Sequence, residues 1–302
     1  MKKLVTIGEA LIDFIPSSNN KLKDVKSFRK ECGGAPCNVA SAYSILGGTS
    51  TLLTKLGDDP FADYIIDTLN SVNVNTKYIV KDKSYDTSLA FVALTKDGAR
   101  DFKFYRKTAA DLNYSIKDIP NNILELMDII HFCSVDLVES NMKYATKEII
   151  DIAIKNNIII SFDPNLRPLL WNNLEDLKQT VLEFISYSNI LKISDEELEF
   201  ITGTTDIYKA SKMLFNKYKR LEILLYSMGK DGALLITRVE TIMSNKYKVK
   251  AVDTTGAGDG FIGSFLFYYY NLGLSLTEAL NKATLFASKS TTKYGAINSY
   301  KN

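Results

Sequence analysis

Short apolar runs alternate along this chain with longer amphipathic segments. Residues 3–7, 51–56, 129–133, 158–162, 190–193 and 222–226 are continuous and rich in Ile, Leu and Val. That is the pattern of strands buried on both faces. Between them, Phe61, Ile65, Leu69 and Val72 recur at helical spacing behind Asp59-Pro60, a helix-start signal. Residues 140–156 and 205–218 read as two further helices, and residues 246–252 as a late strand. Strands alternating with helices predict a mostly parallel sheet covered on both sides.

One stretch departs from this rhythm. Residues 88–95 and 101–105 read as two strands around a turn at Lys96-Asp97-Gly98, with Phe102 and Phe104 alternating with polar neighbours. With residues 11–15 and 25–30 they make a small sheet standing off the main one, placed as a lid or a dimer contact.

Composition narrows the chemistry. The 302 residues carry 37 basic and 35 acidic side chains, a net charge of +2. This favours neither nucleic acid nor an anionic membrane as a partner. The single histidine, His131, excludes two-histidine metal sites and lies in an apolar run as a core residue. Three cysteines, Cys32, Cys37 and Cys133, suit a reducing cytoplasm better than a disulfide scaffold. The amino-terminal apolar stretch is interrupted by Glu9 and Asp13, so it does not read as a signal peptide. The most apolar late stretch, 261–270, is shorter than a membrane span.

Residues 253–260 read Asp-Thr-Thr-Gly-Ala-Gly-Asp-Gly, after the expected strand and before an apolar helix that starts near Ala257. Small residues at a helix start leave backbone N–H groups uncovered for an anion. Asp259 would repel bound phosphate unless it has a task there. Accepting a proton from a hydroxyl that attacks phosphorus is such a task, and the helix dipole favours its ionised form. Gly258 to Gly263 also matches GxGxxG, the nicotinamide-dependent alternative. Its late position, and an aspartate facing the pyrophosphate, argue against it. Neither a P-loop nor a protein-kinase catalytic motif occurs in the chain.

Residues 253–259 resemble the C-terminal signature of the ribokinase-like (PfkB) carbohydrate kinases. A second segment, Gly33-Gly34-Ala35-Pro36-Cys37-Asn38-Val39-Ala40 running on to Gly47-Gly48, is similar to that family's N-terminal motif. Residues 7–13, 57–61, 163–167 and 194–197 extend the resemblance over the whole chain, and the wording is most similar to the fructokinases.

The resemblance implies a single ribokinase-like domain over 1–302, a three-layer α/β/α sandwich whose lid comes from residues about 11–31 and 86–107. It also implies ATP-dependent phosphorylation of a primary sugar hydroxyl, most like that of a fructokinase. 2-Keto-3-deoxygluconate, ribose or a nucleoside are acceptors within the family, and a catalytically silent sugar-binding regulator is the alternative outside it. Asp259 is then the base, with Gly256, Ala257 and Gly258 as the anion hole. The sugar is expected under Asp13, Gly33, Gly34 and Asn38. Arg106 and Arg167 each serve phosphate or sugar, or form an ordinary salt bridge. Ser194, Ser227, Gly229, Gly232 and Thr284 fall at nucleotide positions, with Ser194 and Thr284 standing where relatives carry asparagine. Glu197 is linked to Mg²⁺ through water, although Ser194-x-x-Glu197 is also a helix capping box. Asp253, Thr255, Gly295 and Ser299 match a monovalent-cation pattern, with K⁺ as the ion. Cys37 lies close enough to the sugar residues that thiol modification is expected to inhibit.

Overall fold

The structure, a computed structural model, describes residues 1–17, 20–94 and 100–301. Among these, the strands in chain order are β1 (Lys3–Ile7), β2 (Leu11–Pro16), β3 (Phe28–Gly33), β4 (Thr49–Leu53), β5 (Lys55–Gly57), β6 (Val80–Asp82), β7 (Leu89–Leu94) and β8 (Arg100–Tyr105). They continue with β9 (Ile129–Cys133), β10 (Ile159–Asp163), β11 (Ile190–Ser194), β12 (Ile223–Ser227), β13 (Ala233–Ile236) and β14 (Thr241–Met243). The large sheet runs β14-β13-β12-β11-β10-β9-β1-β4. It is parallel from β4 to β12, and β13 and β14 close one edge antiparallel.

Side-chain alternation sorts the two helical layers. Val5, Ile130, Ile160, Leu191 and Leu224 enter one core, shared with the helices Asn141–Lys155, Leu174–Ile185 and Ile207–Lys217. Their neighbours Leu4, Ile129, Ile190, Ile223 and Leu225 enter the other, shared with Ala35–Ile45, Ala257–Leu266 and Leu276–Ser290. Both faces are therefore dry, which is why these runs are apolar throughout. The fold is the expected three-layer sandwich.

The expected helix starts form as their residues dictate. Asp59 accepts from the N–H groups of Phe61 and Ala62 at 2.9 Å, with Pro60 in the first turn. Ser140 and Asp206 cap their helices through their side chains. A second, four-stranded sheet has the order β3-β2-β7-β8. Phe14 stacks on Phe91 at 4.6 Å and meets Phe61 edge-on at 6.0 Å, which joins this sheet to the helix Pro60–Asn70. The turn at Lys96-Asp97-Gly98 lies outside the described residues.

Two strands differ from expectation. Residues 51–56 are not one strand, because β4 ends at Leu53 and β5 leaves the large sheet to pair with β6. Residues 246–252 form no strand at all. Their lysines alternate with Tyr247, Val249 and Ala251, but the sheet already ends at β14, and a strand needs a ladder partner. The segment is instead held at its end, where Val252 and Asp253 donate to the Thr291 carbonyl.

Candidate active site

Asp259 and Asn38, 221 positions apart, meet because two helices pack closely. A Cβ at Gly263 would lie 2.8 Å from the Val39 carbonyl oxygen and 3.0 Å from Ala42 Cβ, so glycine lets Ala257–Leu266 approach Ala35–Ile45. Asp259 stands one turn before Gly263, and Asn38 one turn before Ala42, on the facing surfaces. Asn38 Nδ2 donates to Asp259 Oδ2 at 2.8 Å. Asn165 Nδ2 reaches Asp259 Oδ1 at 3.4 Å. Asn165 holds a left-handed φ of 45° just beyond β10. The buried Asn38 Oδ1 has no protein partner among the described residues, so the site presents an acceptor beside the carboxylate.

Burial pushes the Asp259 carboxyl above its ordinary range, while Asn38, Lys192 and Arg167 oppose that rise. The sequence anticipates only the helix dipole. Its ionised form therefore depends on these three neighbours as well. Lys192 lies buried in β11, with Nζ 3.0 Å from Asp163 Oδ2. A Cβ on Gly258 would come within 3.2 Å of the same Nζ. Burial alone would lower the Lys192 pKa, but Asp163, Glu197 and Asp259 hold it above the usual lysine value. Asp163 is pushed up to about 7, burial outweighing Lys192.

Gly33, at the end of β3, stands opposite Leu11 and diagonally from Asp13 on the β2–β3 ladder. A Cβ there would fall 2.1 Å from Asp13 Oδ2. Gly34 has φ 104°, and a Cβ would meet the Glu9 carbonyl oxygen at 2.4 Å. Asp13 is pushed up to about 7 by burial first, with Arg167 opposing and Asp259 adding to the shift. Arg167 Nη1 donates to the Leu166 carbonyl at 2.9 Å, which holds this side chain on its own loop.

The turn before Asp259 is braced by residues from 295 to 300. Gly256 has φ 72°, and its carbonyl accepts from Tyr300 Oη at 2.5 Å. Asp253 Oδ1 accepts from Thr255 N and Oγ1, and Oδ2 from Gly295 N at 2.9 Å. These bonds hold the Asp253 carboxyl below its usual range despite partial burial. The expected cation residues Asp253, Thr255 and Gly295 are thus gathered into one turn. Ser299 lies in the braced segment, its hydroxyl donating to Ala296 O at 2.6 Å.

Ser194 and Ser227 lie side by side at the ends of β11 and β12. Beyond Ser227, Gly229 and Gly232 take φ 54° and 95° around a tight turn. Thr284 is buried in Leu276–Ser290, its hydroxyl donating to Leu280 O. Both oxygens of Glu197 accept backbone N–H groups, from Ser194 at 2.8 Å and Leu166 at 3.1 Å. The capping box forms, and the same carboxylate also ties down the Asn165–Arg167 loop. Among the described residues no group of three carboxylate, thiol or imidazole side chains is placed to hold a metal ion.

Arg106 is engaged elsewhere than at an open anion site. Its Nη2 bonds Asp111 and Asp136, and its Nε bonds Ser88 Oγ at 3.2 Å, all in a buried cluster. His131 is a core residue beside Ser161, lowered to about 3 by burial and therefore neutral. All three cysteines are free and buried. Cys37 is fully covered, so its thiol is protected from modifying reagents as well as near the site.

The profile of the pfkB family carbohydrate kinases matches residues 1–302. This chain belongs to that family. It is 35% identical over 301 residues to Probable fructokinase-2 of Arabidopsis thaliana, covering 97% of this chain and 91% of that protein. The fructokinase of Xylella fastidiosa, solved with bound ATP, superposes with a TM-score of 0.89 at 30% identity, over 99% of this chain and 95% of the other. The fructokinase of Vibrio cholerae O395, solved with fructose, ADP and calcium ion, gives 0.87 at 29% identity, over 100% and 96%. The large mostly parallel sheet with its smaller companion is the architecture of these PfkB kinases.

In this PfkB kinase, sequence reasoning passed over Lys192, Asp163, Asn165 and Glu9 as site residues. Lys192 had a legible signal, since it interrupts the apolar run of β11 and a buried lysine requires a partner. Asn165 and Glu9 fall within segments that carry the family resemblance, but their roles lie in a left-handed φ and a contact across the fold, which local chemistry does not announce. Among the described residues no helix is long and apolar enough to cross a membrane.

Proposed function

We propose that this kinase transfers the γ-phosphoryl group of ATP to the primary hydroxyl of fructose. The observation that carries the reading is Asp259, buried at the start of Ala257–Leu266 just after the Gly256-Ala257-Gly258 turn, with both oxygens held by asparagine amides. In this reading the sugar lies between Asp13, Gly33, Gly34 and Asn38. Asn38 Oδ1, without a partner among the described residues, accepts a sugar hydroxyl. Asp259 takes the proton from the attacking hydroxyl, while the 256–258 amides and Lys192 face the negative charge on the moving group. Arg106, already neutralised by Asp111 and Asp136, is not available to an acceptor's carboxylate, and fructose is favoured by the likeness to fructokinases.

Mg²⁺ would supply charge neutralisation on the phosphates. That metal takes mostly phosphate and water oxygens, so the sparse carboxylate set fits, with Glu197 acting through water. K⁺ fits the oxygens of Asp253 and Thr255, with Gly295 and Ser299 around them. Ser194, Ser227, Gly229, Gly232 and Thr284 line the nucleotide side. The four-stranded sheet acts as a lid that excludes water, and edge-strand pairing through it is the proposed dimer contact. Three free thiols suit work in a reducing cytoplasm.

The test is ADP production with ATP and Mg²⁺ on fructose, ribose, 2-keto-3-deoxygluconate and adenosine, each with and without K⁺. Fructose is expected to give the highest kcat/KM. A higher value for another acceptor overturns the substrate, and no ADP from any acceptor with folded protein overturns the activity.

A further inference from the structure

Glu9 is a buried carboxyl outside the catalytic constellation. Its Oε1 accepts the Ala35 N–H at 2.8 Å, and its Oε2 has no hydrogen-bond partner among the described residues. Ala35 opens the helix that carries Asn38. That helix begins on Gly34, which has no side chain to cap it, and its second residue, Pro36, has no N–H. The Glu9 backbone carbonyl also lies against Gly34, so one residue clamps this helix start by two contacts. On its other side Glu9 faces the Arg106 cluster, where Asp136 Oδ2 is likewise buried and unpartnered. Asp111 and Asp136 bond the one guanidinium there, Glu9 feels its charge without a bond to it, and Cys37 and Cys133 are the nearby thiols.

We propose that Glu9 is a positioning residue for catalysis: its carboxyl caps the helix Ala35–Ile45 from outside and thereby holds Asn38 against Asp259. Burial and Asp136 push Glu9 up to about 8, in keeping with a proton held at neutral pH. The inference rests on Asp259 being the base. Asn38 is the contact that most lowers the Asp259 pKa, ahead of Lys192 and Arg167, while Glu197 raises it. Loosening Asn38 therefore moves the acid limb of the rate profile to higher pH.

The experiment compares Glu9→Ala, Glu9→Asp, Glu9→Gln, Asn38→Ala and the Glu9→Ala/Asn38→Ala double variant by kcat, KM and pH profile, with thermal melts as the folding control. Glu9→Ala and Glu9→Asp, which loses the reach to Ala35, are expected to lower kcat by about tenfold or more. KM for ATP should stay within about twofold, because the nucleotide residues do not touch this helix start. Their acid limbs should move up in pH as that of Asn38→Ala does, and the double variant should lose little beyond Asn38→Ala alone. Glu9→Gln, which keeps an acceptor for Ala35 and adds a donor, should recover most of the turnover and the normal limb. Folded Glu9→Asp with a normal limb, Glu9→Gln worse than Glu9→Asp, or losses that multiply in the double variant would overturn the proposal. Wild-type protein without sugar-dependent ADP production, or an Asp259→Asn variant with full turnover, would instead refute the function reading beneath it.

Discussion

Substituting Gly263 by alanine tests whether helix spacing, and not the catalytic groups themselves, sets the activity. The new Cβ would lie 2.8 Å from a backbone oxygen and 3.0 Å from Ala42 Cβ. Ordinary contact begins near 3.4 Å, so the helices must part by about half an ångström. Two effects on stability oppose each other. Alanine gains about 1 kcal/mol over glycine inside a helix, whereas overpacking costs about 1–3 kcal/mol. The net is a loss of roughly 0–2 kcal/mol, read from urea unfolding. The same half ångström stretches the 2.8 Å bond from Asn38 to Asp259 beyond good hydrogen-bond length. Misplacement on the scale of 1 Å costs about 100-fold in rate, so a fall in kcat of about tenfold is expected. At saturating ATP and fructose, folded Gly263→Ala with kcat within about twofold of wild type would refute the reasoning.

Asp259→Asn should keep the fold, because the unpartnered Asn38 Oδ1 allows that amide to flip and accept from the new NH₂. Its turnover should fall by about 100–10,000-fold, and the acid limb expected of wild type above the ordinary carboxylate range should vanish; a variant that keeps the limb assigns it to another group. Gly33→Ala drives a methyl into the Asp13 carboxylate, so initial rates should show KM for sugar raised by about tenfold or more with KM for ATP nearly unchanged; equal rises in both would place Asp13 away from the sugar. Lys192→Met leaves Asp163 buried without its partner, a loss of about 3–5 kcal/mol at pH 8. Asp163 has a pKa of about 7 with Lys192 lowering it, so removal of the lysine raises it further and penalises the charged carboxyl in the folded state mainly above pH 7; the loss should shrink at pH 5.5, where the carboxyl holds a proton with or without Lys192. Urea titrations at the two pH values decide it.

The layered architecture was legible because each central strand writes its burial on both faces into a continuous apolar run. Asp253–Asp259 was legible as a candidate anion turn because glycines beside a carboxylate suit phosphate chemistry, whereas Gly33–Asn38 stood out through its resemblance to the family's N-terminal motif. Residues 246–252 misled for a complementary reason: alternation shows that a segment is able to form a strand, but not that a neighbour remains to pair with it. Arg106 was legible as a cation for phosphate, sugar or an ordinary salt bridge, but not as to its partners, since Asp136 reaches it only through the fold. Lys192 was visible as an anomaly, while the clamp of Glu9 on Ala35 spans 26 positions and leaves no local trace.

The brace from Tyr300 to the Gly256 carbonyl bears on the order in which the chain becomes active during synthesis. A ribosome delivers Glu9, Gly33 and Asn38 early, and the large sheet has all its strands once Met243 has emerged. Asp259 follows, but its supporting turn stays unsecured until Ala296 and Tyr300 have been translated and have docked. Proteolysis or a stop codon just before Tyr300 would thus yield chains with nearly all their secondary structure and an unformed phosphate turn. Docking of Tyr300 would then carry the chain from inert to active with little change in helix or strand content to report the event.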